Sequence, residues 1–159
     1  MTSTTSATIV VGLDGTPASL VALRFALAEA AISGATVEVI HCWHAQSLRD
    51  VAFGSTHELH NGSICMLDNE VRAAVKDTVG TVEVTETSVN GRPAAVLLQH
   101  AKNAQLLILG AHRHSTLRDA AFGRVAAACR KQSSCPVVIV EIDGRSTRHE
   151  PRVPAVAMN

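Results

Sequence analysis

The sequence predicts an α/β protein built on a parallel sheet with helices on both faces. Three observations carry this. Short apolar runs alternate with segments of helical period, in the order β-α-β-α-β-α-β-α-β. The runs at residues 8–13, 105–109 and 136–142 are apolar almost throughout, the pattern of strands buried on both faces. Start and stop signals separate the elements, among them Thr16-Pro17, Gly34, Asn90-Gly91 and Gly110.

The first strand spans residues 8–13. Thr16 then offers an N-cap and Pro17 a first-turn residue with its φ already set. Leu20, Leu23, Leu27 and Ala30 or Ala31 recur at helical spacing, and Gly34 stands where that helix stops. Residues 36–43 form the second strand. Residues 44–60 carry no apolar period and read as a long loop. Leu67, Val71, Ala74 or Val75, and Val79 mark a second helix. Residues 82–89 interleave Val with Glu, Thr and Ser, as a less buried strand at a sheet edge does. Asn90-Gly91 turns the chain, and Pro93 opens a third helix with Leu97 and Ala101 on one face. The fourth strand, 105–109, ends at Gly110. Leu117, Ala121, Val125 and Cys129 space a fourth helix, and residues 136–142 form the fifth strand. Right-handed crossovers between parallel strands put helices on both faces. Residues 7–142 thus make one domain, with residues 1–6 and 143–159 as flexible ends.

Composition narrows the function. The 159 residues suffice for one real core, and 47% are apolar. Aromatics are 3%, with no Tyr, too few for a surface that stacks single-stranded nucleic acid. Fourteen basic side chains balance 14 acidic ones, so no global field draws the chain to nucleic acid or to anionic membranes. No run resembles a signal peptide or a membrane span, and Cys42, Cys65, Cys129 and Cys135 match no disulfide or zinc frame. A cytoplasmic protein with packed, free thiols is expected.

In sheets of this kind, ligands sit at the carboxyl ends of strands, where connections diverge. The first strand ends at Asp14-Gly15 and the fourth at Gly110; as neighbours they frame a crevice. From residue 110 to 131 the cations are Arg113, Arg118, Arg124, Arg130 and Lys131, against a single acid, Asp119. That imbalance is either an anion site near a helix N-terminus or a solvated basic helix face. The chain has no GxGxxG, no Walker A sequence and no GxSxG elbow. A phospho-receiver would carry an acceptor Asp where Val89-Asn90-Gly91 stands. No nucleophile–base pair is visible, and no enzyme activity is expected.

The segments Ile9-Val10-Val11-Gly12-Leu13-Asp14-Gly15-Thr16, Gly91-Arg92-Pro93, Leu106-Leu107-Ile108-Leu109-Gly110 and Cys135-Pro136-Val137-Val138-Ile139-Val140 resemble, in order and distance, the universal stress protein family. The resemblance covers roughly residues 7–142. It implies a five-stranded parallel sheet of order 3-2-1-4-5, Rossmann-like and similar to the adenine nucleotide alpha hydrolases. It further implies that Asp14 sits near the adenosine end of a bound nucleotide and that the backbone of His41-Cys42-Trp43 holds adenine. Phosphates lie on a G-x2-G-x9-G-[ST] loop in ATP-binding members. Here that loop reads Gly110, Arg113, Gly123, Arg124, so two of its four positions are Arg. The ligand implied is ATP, AMP or another adenine nucleotide, such as a cyclic one, at Asp14, Cys42, Gly110, Arg113, Gly123 and Arg124. The alternative is a protein-interaction module of the same fold that works without nucleotide. The family commonly dimerises through the fifth strand, and the run Val137 to Val140 is too apolar for an exposed edge, so a homodimer is expected there. His41, Cys42, His44, His57 and His60 cluster in sequence but in no ligand frame, and no metal is expected. Trp43 reads as packing at a strand end. His112 and His114 read as solvated loop residues.

Overall fold

The computed structural model describes residues 6–44, 55–111 and 123–152. Its elements are β1 (Thr8–Gly12), α1 (Pro17–Ser33), β2 (Thr36–Trp43), α2 (Ser55–Lys76), β3 (Val84–Asn90), α3 (Pro93–Ala101), β4 (Leu106–Gly110), α4 (Gly123–Gln132), β5 (Val137–Val140) and β6 (Ser146–His149). The sheet order is β3-β2-β1-β4-β5-β6. The first five strands are parallel and follow the expected 3-2-1-4-5; β6 pairs antiparallel with β5.

The strands divide their side chains between two cores. Ile9, Val11 and Leu13 of the β1 segment pack with Val37 and Val39 under α1 and α2. Val10, Ile40, Leu107 and Leu109 pack on the other face under α3 and α4. Burial on both faces is why β1, β4 and β5 read as unbroken apolar runs. β3, at the sheet edge, has no fully buried residue.

Helix boundaries follow their signals. Thr16 caps α1, its hydroxyl accepting from Ser19 N at 3.3 Å, and Gly34 ends the helix at φ 73, donating to the Ala30 carbonyl at 2.8 Å. α2 departs from expectation at both ends. It begins at Ser55, inside the stretch read as a loop, and stops at Lys76, leaving Val79 92% exposed. The polar first turns of α2 bury little, so they show no apolar period. Of the positions expected to space the last helix, Val125 and Cys129 lie on α4, while Leu117 and Ala121 fall outside the described residues.

The largest correction concerns the C-terminal segment and the fifth strand. Residues 146–149 are a strand, not part of a loose tail, and β5 is not an edge. Val137 pairs with His149 and Val140 with Ser146. All four β5 residues are buried. The chain's own next segment, β6, lies on the outer side of β5, where pairing with a second copy is expected from the sequence. Among the described residues no helix is long and apolar enough to cross a membrane.

Candidate functional site

The crevice opens where β1 and β4, neighbours in the sheet, send their chains to opposite faces. β1 leads into α1 on one side; β4 leads toward α4 on the other. Between them lies a cavity of about 170 Å3 whose lining includes Asp14, Cys42, Gly110, Gly123 and Arg124. Five of the six expected site residues therefore meet in one place. The sixth, Arg113, lies outside the described residues, as do His112 and His114.

Each of the five is held for a different reason. Asp14 follows β1 in a tight turn: its Oδ1 accepts from Thr16 N at 3.0 Å and Thr16 Oγ1 at 2.5 Å, while its own N–H donates to Ser19 Oγ at 3.3 Å. Gly15 follows at φ 77, a conformation that L side chains rarely adopt. The pairing of β1 with β2 ends with Leu13 N donating to the Ile40 carbonyl at 2.8 Å, so Cys42 extends beyond the end of β1. Burial pushes the Cys42 thiol up to about 11, so the sulfur facing the cavity is a neutral thiol and a poor nucleophile.

Gly110 has a packing role that the sequence reading did not contain. A Cβ there would stand 2.5 Å from the Ala18 carbonyl carbon and 2.7 Å from Ser19 N. The first turn of α1 lies directly on β4, and only a glycine admits it. Gly123 is glycine for a backbone reason, φ 67, with open space around it at the start of α4. Arg124 follows, exposed at the cavity mouth. Within α4 the charges are Arg124, Arg130 and Lys131, with no acid.

The cavity wall also includes Ser19, Pro93, Leu97 and Val125. Leu97 was legible only as a core position of a helix. Nothing in its spacing says that one flank of that helix borders a cavity. Trp43 is not in this wall. β2 alternates its faces, so Cys42 looks into the crevice while His41 and Trp43 look toward α2.

On that α2 face the structure holds a pair that the sequence did not reveal. His41 Nδ1 is 2.5 Å from Ser63 Oγ, a residue 22 positions away and 3% exposed. A serine–imidazole contact is the arrangement of a nucleophile and its base. Ser63 sits inside α2, however, where backbone N–H groups are spent on helical hydrogen bonds and form no oxyanion hole. Among the described residues, no group of three or more His, Cys, Asp or Glu side chains is placed to hold a metal ion.

Comparisons with known proteins agree on one family. A family model described as the universal stress protein family matches residues 6–141. A universal stress protein of Mycolicibacterium smegmatis is 29% identical over 133 residues, which are 83% of this chain and 45% of that protein. The chain spans about half the length of the curated relatives it matches, 45–47%. A solved universal stress protein in complex with cAMP shares 26% identity at a TM-score of 0.61, covering 86% of this chain and 98% of that one. The universal stress protein UspA from Lactobacillus plantarum superposes with a TM-score of 0.65 at 18% identity, over 84% of this chain and 96% of that one, a likeness of fold.

Proposed function

Because the chain belongs to the universal stress protein family, we propose that it acts as a non-catalytic stress-response module that holds an adenine nucleotide in the crevice between β1 and β4. The observation that carries this reading is the convergence of Asp14, Cys42, Gly123 and Arg124 on one cavity with apolar walls at Ile40, Leu97 and Leu109. At about 170 Å3 it is smaller than the roughly 300 Å3 at which pockets for drug-sized ligands begin. It suits a flat ring system, with the remainder of the ligand lying across the mouth. In this reading Asp14 accepts hydrogen bonds from sugar hydroxyls. Arg124 brings a guanidinium to the phosphate end, beside the N-terminus of α4. The solved relative that contains cAMP supports a nucleotide with few phosphates. A neutral thiol at Cys42, and a Ser63 whose neighbouring backbone N–H groups are spent within its helix, both favour binding over turnover.

Calorimetry with ATP, ADP, AMP and cAMP tests the reading. Arg124→Ala is expected to weaken the bound nucleotide by about 1.5–3 kcal/mol, the worth of a charge-assisted hydrogen bond. Arg113→Gly combined with Arg124→Ser, which rebuilds the family's phosphate loop, is expected to raise ATP affinity. If neither protein binds any of the four at millimolar concentration, the nucleotide reading fails and a nucleotide-independent interaction module takes its place.

A further inference from the structure

At the carboxyl end of β2, on the face turned away from the crevice, four side chains from three elements form one continuous chain of hydrogen bonds. His41 Nδ1 lies 2.5 Å from Ser63 Oγ, Ser63 Oγ lies 2.7 Å from Ser88 Oγ on β3, and Ser88 Oγ lies 3.5 Å from His60 Nδ1 on α2. Trp43 Nε1 donates to the same Ser88 oxygen at 3.1 Å, and its ring centroid is 5.4 Å from that of His60. His41, Trp43 and Ser63 also line an open groove of about 610 Å3 with Glu58, Leu59 and Met66.

Counting protons shows what this chain can do. A serine hydroxyl has one proton and two lone pairs, and an indole N–H only donates. Trp43 therefore always occupies one lone pair of Ser88. When His41 is neutral and accepts at Nδ1, the hydroxyl protons run from Ser88 to Ser63 to His41. The second lone pair of Ser88 is then open to an N–H from His60. When His41 is protonated, Nδ1 becomes a donor and both hydroxyls must turn. Ser63 then fills the second lone pair of Ser88, and the Ser88 proton points at His60 Nδ1, which has to accept. With both rings protonated, the Ser88 hydroxyl faces an N–H and two donors oppose each other. One such chain accommodates one imidazolium.

We propose that the His41–Ser63–Ser88–His60 chain is a proton switch, in which a proton on one imidazole, relayed by reversal of two serine hydroxyls, opposes a proton on the other and displaces His60 from Trp43 once both are charged. Other ionisable groups face the same region. Glu58 of α2 and His44 at the exit of β2 line the groove, and Asp14 at the end of β1 acts on the His41 charge from the crevice side. Glu86 lies further along β3, beside Asp68 and Arg72 of α2. Burial lowers the proton affinity of His41, and the Asp14 carboxylate partly restores it. The switch therefore works on the acid side of neutrality. Asp14 also borders the crevice, so the two sites share a carboxylate as well as a strand.

Histidine side-chain NMR titration of the full chain, followed in parallel by emission of its single tryptophan, tests this. Of His41→Asn and His60→Asn, the variant that keeps the ring normally protonated second is expected to show that ring titrating about one pH unit higher, the mark of strongly coupled sites. Ser88→Ala cuts the relay and is expected to give the same rise, whereas Ser88→Thr keeps a hydroxyl and restores the wild-type curves. Trp43 emission is expected to change with the second protonation in the wild type. Thermal melts of each variant establish that it is folded. If neither ring's midpoint responds to loss of the other imidazole, the proposal is overturned. Ser88→Thr curves that match Ser88→Ala overturn it as well.

Discussion

Gly110 occupies a position where the family's loop pattern and the packing of this fold both call for glycine, and the two causes separate experimentally. Its missing Cβ faces backbone atoms of α1 at 2.5–2.7 Å, which cannot move without moving the helix. Gly110→Ala is expected to cost about 1–3 kcal/mol or more by overpacking, read by urea denaturation. Gly12→Ala meets only the ends of the Leu109 and Leu97 side chains, at 3.0–3.4 Å, and is expected to cost less. Equal losses at the two sites would contradict this account. His41 and His149 supply a second test at this scale. Burial lowers the pKa of His41 against a smaller opposing effect of Asp14. Burial, with Arg130 nearby, lowers that of His149. Each has its ordinary value of 6.5 in the unfolded chain, so between that value and the lower folded one the unfolded state binds more protons. The stability they contribute is complete above pH 6.5 and is lost as pH falls through the folded pKa. Folding free energy measured from pH 8 to pH 5 is expected to fall on the acid side, with a shallower slope in His149→Asn. An unchanged slope would remove His149 from the account.

Among the elements, β6 most alters the picture drawn from sequence. It is four residues of polar side chains, three of them exposed, and taken alone it has no reason to be a strand. It forms because β5 is wholly buried and needs a partner on its outer side. The connection helps. Gly144 turns at φ 86, its N–H donates to the Glu141 carbonyl at 2.9 Å, and Arg145 pairs with Asp143 at 2.7 Å and Glu141 at 3.0 Å. Arg145 is exposed in both pairs, so they add little by themselves. Deleting residues 144–159 is expected to lower the melting temperature, by roughly 2–4 °C for each kcal/mol lost. It is also expected to increase self-association by uncovering β5. Scanning calorimetry with sedimentation checks both; a truncated chain with the parent's melting temperature and mass would show that β6 is not the cover. α2 offers the opposite kind of test. Gly62 lies inside this helix, and a Cβ there would meet no atom beyond the helix's own backbone within 4 Å. Gly62→Ala is expected to stabilise the fold by about 0.5–1 kcal/mol.

At the scale of the whole molecule, the four thiols sample the surface and the core under α3 and α4. Cys65 is exposed, Cys42 is half-buried at the crevice, and Cys129 and Cys135 are buried under α4. Reaction with a thiol reagent at pH 8 is expected first at Cys65. Cys42, with its thiol pushed up to about 11, follows slowly. Cys129 and Cys135 are expected to react only as fast as the fold opens. Reaction at Cys129 faster than at Cys42 would mean that the α4 side opens independently. The sequence by itself determined the succession of five strands and four helices, the parallel sheet and the strand ends at which a crevice forms. Those features rest on local period, on capping residues such as Thr16 and Gly34, and on the handedness of crossovers, all written within a few residues of one another. Only the tertiary structure decided that β6 covers β5, that Gly110 must admit the backbone of α1, and that His41 meets Ser63 and Ser88. These are contacts between segments distant in the chain, and a polar residue bears no local mark of the partner it finds across a fold.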